Sequence, residues 1–243
     1  MEREFGIIGH PLTHSFSPSF FNKKFEEENI DAMYTAFEIE HISQFPILLQ
    51  QHPNLCGLSV TIPYKKTVIP LLDELDDAAK NIGAVNCIAI NNGKLKGFNT
   101  DVFGFSESLH PLLQTQHNRA LILGTGGSSL AVQYVLKQFN IPFQMVSRNK
   151  GNLALCYEDL NEAIIHAHTL IINTTPLGMF PKKNDCAPIP YEALTPHHLL
   201  FDLVYNPQET LFLQKGKSQG ATIKNGLAML HLQALRSWEI WNS

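Results

Sequence analysis

Ala120-Leu121-Ile122-Leu123-Gly124-Thr125-Gly126-Gly127-Ser128-Ser129 sets four consecutive apolar residues directly before a glycine-rich turn, and the segment from Leu130 to Phe139 continues as a helix. A short strand that is apolar at every position is buried on both faces, as in a parallel sheet covered by helices. Glycines after such a strand let the backbone approach a pyrophosphate, while the amides and dipole of the following helix favour its charge. The third glycine of the usual Gly-x-Gly-x-x-Gly is Ser129 here. A tight strand-to-helix turn without a ligand would use glycines too, and it is the strand–turn–helix context that marks Gly124, Thr125, Gly126, Gly127 and Ser128 as a nucleotide cradle.

Toward the C-terminus the pattern repeats. Apolar strands are expected at Phe143–Val146, Thr169–Ile172, Leu199–Val204 and Ala221–Ile223, followed by a helix over Leu227–Trp241. After the second of the strands beginning at Ala120, an NAD-preferring site carries an acidic residue for the ribose 2′-hydroxyl. Here the sequence is Ser147-Arg148-Asn149-Lys150, with cations at that place. Arg148 suits adenine stacking and a 2′-phosphate, so the expected cofactor is NADP(H); a solvated basic loop is the plain alternative.

Toward the N-terminus, strands are expected at Glu4–Gly9, Met33–Ile39 and Gly57–Ile62. Helices are expected at Ser19–Glu28, Ser43–Gln50 and Asp73–Asn81. Val85–Ile90 and Lys94–Phe98 flank Asn91-Asn92-Gly93 and read as a hairpin, since Asn-Gly tolerates the positive φ angles of its turn. The result is a two-domain α/β protein. Residues 1–101, completed by a C-terminal helix within 225–243, form a substrate-binding domain on a mixed sheet. Residues 102–224 form a Rossmann-type dinucleotide domain on a parallel sheet, with a cleft expected between the two.

The 243 residues are 44% hydrophobic and 16% charged, with a formal net charge of -4, which supplies core for two moderate domains and no basic face for nucleic acid. No run approaches the roughly 20 apolar residues of a membrane span. Met1-Glu2-Arg3-Glu4 runs into Phe5-Gly6-Ile7-Ile8 without a signal-type apolar region, so a cytoplasmic protein without membrane partners is expected. Cys56, Cys87, Cys156 and Cys186 are scattered and the 11 histidines form no ligand spacing, so no metal is expected. His10 and His14 flank a segment that gains meaning below.

Taken in order, several segments carry a likeness. Gly9-His10-Pro11-Leu12-Thr13-His14-Ser15-Phe16-Ser17-Pro18 is followed by Ser59-Val60-Thr61-Ile62-Pro63-Tyr64-Lys65, Gly83-Ala84-Val85-Asn86 and Asn99-Thr100-Asp101. After the glycine turn and Ser147-Arg148 come Ile172-Asn173-Thr174-Thr175-Pro176-Leu177-Gly178-Met179, Asp202-Leu203-Val204-Tyr205 and Asn225-Gly226-Leu227-Ala228-Met229-Leu230. The chain resembles the shikimate dehydrogenase family over almost its whole length. The resemblance implies an NADP-dependent oxidoreductase that interconverts 3-dehydroshikimate and shikimate. It implies Lys65 and Asp101 at the catalytic centre, and Ser15, Ser17, Thr61, Lys65, Asn86, Asp101, Tyr205 and Gln233 on the substrate. Against the cofactor it places Gly124 to Ser128, Ser147, Arg148, Thr174, Leu203 and Gly226, with Asp77 near the nicotinamide. His10 replaces the family's more usual Asn, and Ser147-Arg148-Asn149 departs from its common Asn-Arg-Thr.

These residue types suit the chemistry. Hydride addition to a ketone leaves negative charge on oxygen, and a positioned acid, Lys65, delivers a proton as that charge grows. Asp101 orients the amine and binds a substrate hydroxyl; read locally, it is equally a helix N-cap. Ser15 and Ser17, two apart in an extended segment, would aim their hydroxyls to one side; Ser17 is equally an N-cap before Pro18. Asn86 is alternatively a turn residue, Gln233 an exposed glutamine and Tyr205 a rim tyrosine at a strand end, where α/β sheets bind ligands. A quinate or dual quinate/shikimate dehydrogenase, and a non-catalytic NADP-binding regulator, are the rival readings. Monomer and homodimer both remain open.

Overall fold

The computed structural model describes residues 3–12, 16–149 and 154–243. It separates into two compact units, Met1–Thr100 with Ala234–Ser243, and Asp101–Gln233.

In the first unit a mixed sheet is built from β1 (Arg3–Gly9), β2 (Ala32–Glu38), β3 (Leu55–Val60), β4 (Glu74–Leu75), β5 (Cys87–Asn91) and β6 (Lys94–Phe98), in the order β2-β1-β3-β5-β6-β4. β1 runs parallel to β2 and β3, and β3 pairs antiparallel with β5. β5 and β6 form the expected hairpin, with Asn92 and Gly93 both at positive φ. Helices α1 (Phe16–Glu27), α2 (Phe45–Gln51) and α3 (Asp77–Ile82) cover it.

α1 begins three residues before the expected Ser19. Proline lacks only an amide that a first turn leaves unpaired anyway, so Pro18 does not delay the helix. Around residue 73 the expected helix is divided: Asp73 accepts the Leu95 amide at 2.7 Å, Glu74–Leu75 join the sheet, and Asp76 caps α3 by accepting the Ala79 amide.

The second unit holds β7 (Ala120–Leu123), β8 (Phe143–Ser147), β9 (Ala154–Cys156), β10 (Leu170–Asn173), β11 (Leu199–Asp202) and β12 (Thr222–Lys224). All pairs are parallel and the order is β12-β11-β10-β7-β8-β9. Strand order therefore reverses between β7 and β10. Every residue of β7 and β10 is fully buried or nearly so, and the side chains alternate between two cores. Leu121, Leu123, Ile171 and Leu200 join one, and Ala120, Ile122, Leu170, Ile172 and Phe201 the other. Helices α5 (Gly127–Gln138), α6 (Glu162–Ala167) and α7 (Leu211–Ser218) connect the strands.

Helices α4 (Thr100–Leu109) and α8 (Leu227–Trp241) each contain a boundary between the units. The end of α8 belongs to the first unit. There Trp241 packs against Phe5 and Phe21 with ring centroids 5.2 Å apart in both cases, and its Nε1–H donates to the Ile88 carbonyl at 3.0 Å. Among the described residues no helix is long and apolar enough to cross a membrane.

Candidate active site

In the first unit the candidate residues lie where β1, β3 and β5 begin or end. Thr61 follows β3, donates its amide to the Ile8 carbonyl at 3.0 Å and is half-buried. Lys65 stands in the turn that follows. Buried Tyr64 pins that turn from beneath, its hydroxyl donating to the Ile39 carbonyl at 2.5 Å and its amide to the Thr61 carbonyl. The Lys65 carbonyl accepts the Val85 amide at 2.7 Å, so the backbone on both sides of this half-buried amine is fixed.

Asn86 is no simple turn residue. It is buried, its carbonyl accepts the Val60 amide, and its side-chain amide clasps Thr100: Oδ1 accepts the Thr100 amide at 2.7 Å and Nδ2 donates to Thr100 Oγ1 at 3.1 Å. Thr100 also meets Ser237 of α8 at 3.2 Å. Asn86 thus holds the residue immediately before Asp101.

Ser17 lies within the first turn of α1, not in an extended segment, and is near enough to the phenol of Tyr34 to act on it electrostatically. Ser15 and His14 lie outside the described residues. Asp77 is exposed in the first turn of α3, beside the capping Asp76. His10 is exposed and pairs with Glu38 at 3.1 Å.

In the second unit Gly124, at the end of β7, takes φ +106°, where an L side chain is strained; a Cβ there would also meet Thr174 Oγ1 and Thr175 Cγ2 at 2.8 Å. Gly126 caps α5, and a Cβ on Gly126 or Gly127 would meet nothing within 4 Å. Thr125, Gly126 and Gly127 are exposed and Ser128 half-buried. Ser129, at the third glycine position, is fully buried and its hydroxyl donates to the Gly126 carbonyl at 2.7 Å, closing the turn from within.

An open, side-chain-free backbone at the start of a 12-residue helix, beside the point where strand order reverses, fits a dinucleotide pyrophosphate. Ser147 ends β8 and its hydroxyl donates to the Asn149 carbonyl; Arg148 is exposed just beyond, within electrostatic reach of Tyr157. Lys150 lies outside the described residues.

The loops after β10 and β11 share a buried polar network that residue types alone do not reveal. Asp202 is fully buried; its Oδ1 accepts from Asn173 Nδ2 at 2.9 Å and from the Val204 amide at 3.0 Å, and its Oδ2 from Thr210 Oγ1 at 2.5 Å. Asn173 Oδ1 in turn accepts the amide and hydroxyl of Thr175. Burial pushes the Asp202 carboxyl up to about 6, overcoming the three donors that favour its charge.

The network fixes Thr174, whose hydroxyl donates to the Leu123 carbonyl at 2.8 Å, and Leu203, whose amide donates to the Asn173 carbonyl at 3.0 Å. Gly226 packs against the same loop: a Cβ on it would lie 2.2 Å from the Leu203 carbonyl oxygen. Tyr205 follows in this loop, half-buried, with its phenol pKa raised by burial.

Asp101 is buried in the first turn of α4 rather than at its cap. Gln233 is half-buried on α8, its Cβ 3.1 Å from where a Cβ on Gly104 would sit, so α4 and α8 touch backbone to backbone there.

Residues 7–88 match the family described as the shikimate dehydrogenase substrate binding domain. The chain is 37% identical to the shikimate dehydrogenase (NADP(+)) of Methanosphaera stadtmanae, over 97% of its own length and 90% of that protein. The crystal structure of shikimate dehydrogenase from Aquifex aeolicus superposes with a TM-score of 0.87 at 34% identity, covering 99% of this chain and 92% of that one. Quinate dehydrogenase from Corynebacterium glutamicum, in complex with NAD, superposes with a TM-score of 0.89 at 26% identity, covering 99% and 93%.

Proposed function

Because the chain belongs to the shikimate dehydrogenase family, we infer that it catalyses the reversible NADPH-dependent reduction of 3-dehydroshikimate to shikimate. The observation that carries this reading is the near-full-length identity to an NADP-dependent shikimate dehydrogenase, 37% over 97% of the chain. When bound, the nicotinamide supplies or receives the hydride.

The chain's own residues do the rest. Lys65, on a turn whose backbone is fixed by Tyr64 and Val85, gives a proton to the ketone oxygen during reduction and takes it back during oxidation. Asp101 binds a substrate hydroxyl and orients the amine. Thr61, Asn86, Ser15 and Ser17 hold further oxygens of a small, oxygen-rich ring, with Tyr205 and Gln233 from the second unit. The glycine turn and Thr174, Leu203 and Gly226 cradle the cofactor, and Arg148 selects its 2′-phosphate. Asp77 and Ser147 complete the cofactor assignment. We place the enzyme in the cytoplasm, which its four free cysteines suit.

The test is turnover by the purified protein, followed by absorbance of the reduced nicotinamide, with shikimate or quinate and NADP+ or NAD+. Shikimate with NADP+ is expected to give kcat/KM at least about tenfold above any other pair, the worth of one well-placed polar contact. Equal or better turnover of quinate would replace this reading with the quinate dehydrogenase one. Comparable use of NAD+ would remove the role given to Arg148. Absence of turnover with every pair, while NADPH binds, would support a binding regulator.

A further inference from the structure

Tyr34 is on β2 but its phenol reaches across β1, because Tyr34 aligns with Phe5 while Ser59 of β3 aligns with Ile7, two residues further along the same face. The ring is 3% exposed and stacks on Phe21 with centroids 4.7 Å apart. Asn22 of α1 fixes the backbone beneath it: Nδ2 donates to the Tyr34 carbonyl and Oδ1 accepts the Tyr34 amide, both at 2.9 Å. The phenol therefore has one place to be. Its O–H donates to Ser59 Oγ at 2.8 Å.

The phenol's one proton goes to Ser59. Ser59 Oγ accepts, so its own proton is left to donate elsewhere, and no acceptor among the described residues takes it. Burial raises the Tyr34 pKa, which keeps the phenol a neutral donor across the working pH range.

Ser59 precedes Thr61 by two residues, so both side chains lie on one face where β3 ends. We propose that Tyr34 is a positioning residue for substrate binding: its hydrogen bond holds and polarises Ser59 so that Ser59 offers a hydrogen-bond donor beside Thr61 to a carboxylate or hydroxyl oxygen of the substrate. The inference rests on the proposed shikimate reading, and it adds a residue that never touches substrate.

Tyr34→Phe removes one oxygen and keeps the stacked ring. Steady-state kinetics are measured for this variant, for Ser59→Ala and for the double variant, with thermal melts as a check on folding. Tyr34→Phe is expected to raise the shikimate KM about tenfold, the worth of one lost hydrogen bond, with kcat and the NADP+ KM within about twofold. In the Ser59→Ala background it is expected to add less than about twofold. An unchanged shikimate KM in a folded Tyr34→Phe enzyme overturns the proposal, as does an equal rise in the KM for NADP+. Should Tyr34→Phe fail to fold, Ser59→Ala decides: a raised shikimate KM at constant kcat supports the Tyr34–Ser59 pair, and an unmoved KM overturns it. Failure of the wild-type protein to turn over shikimate would be a failure of the parent reading, visible before any variant is made.

Discussion

Asp202 carries the most quantitative consequence of this structure. Its carboxyl is fully buried against Asn173, Val204 and Thr210, and burial lifts its pKa from 3.8 to about 6. Holding the charge in the folded chain therefore costs about 3 kcal/mol relative to the unfolded one.

The folded state binds the extra proton between those two values, so this group's contribution to stability falls as pH rises through the window and is flat above it. Between about pH 5 and about pH 8 the remaining part of the fall is about 1.4 kcal/mol. Asp202→Asn abolishes the titration. It also keeps the network, because Oδ1 still accepts from Asn173 and Val204, while the Thr210 hydroxyl, already accepting the Leu213 amide, can turn to accept from the new Nδ2.

Urea unfolding of both proteins across that range is the assay, since every other titration cancels in the difference. Relative to wild type, Asp202→Asn is expected to gain about 1.4 kcal/mol from the acid to the alkaline end. A flat difference would mean that the pKa is not raised. The same flat difference is expected if the three hydrogen bonds outweigh burial, since a lowered pKa would titrate below this range.

Gly226→Ala places a methyl 2.2 Å from the Leu203 carbonyl oxygen, and backbone on one side must move by about 1 Å to reach ordinary contact. NADPH affinity by fluorescence titration is expected to fall at least about tenfold, with about 1–3 kcal/mol lost from stability by urea unfolding. Trp241→Phe removes the Nε1–H donor to the Ile88 carbonyl while leaving an aromatic ring against Phe5 and Phe21. The same unfolding measurement should show a loss of about 1–3 kcal/mol, with the NADPH affinity unchanged.

Much of this architecture is written locally. The β7 residues Ala120–Leu123 are apolar at each position because both sheet faces are covered, and the glycines after them mark the strand-to-helix turn, with Gly124 at positive φ. Asn92-Gly93 likewise announces its hairpin through backbone freedom alone. The short helices α6 and α7 escaped the periodicity reading, since six and eight residues carry too few apolar repeats. Their caps were nonetheless signals: Asn161 accepts the Ile164 amide and Thr210 the Leu213 amide.

The polar network was harder to see. Asn173 and Asp202 are 29 positions apart and meet only because β10 and β11 are neighbours in register. Tyr34 and Ser59 require a third strand between them. Asn86 reads as a turn residue until its partner, Thr100, is placed by the hairpin. Long-range side-chain pairing depends on sheet order, and that is where local reading stops.

The reading proposed above has Lys65 donate the proton to the substrate oxygen. Its most direct test is the steady-state rate of Lys65→Ala with shikimate and NADP+, with folding checked by NADPH binding. The expected result is kcat reduced by at least about a hundredfold, the lower range of general acid–base catalysis, with a much smaller change in the shikimate KM. A kcat within about threefold of wild type, with only KM raised, would assign Lys65 to binding and contradict it.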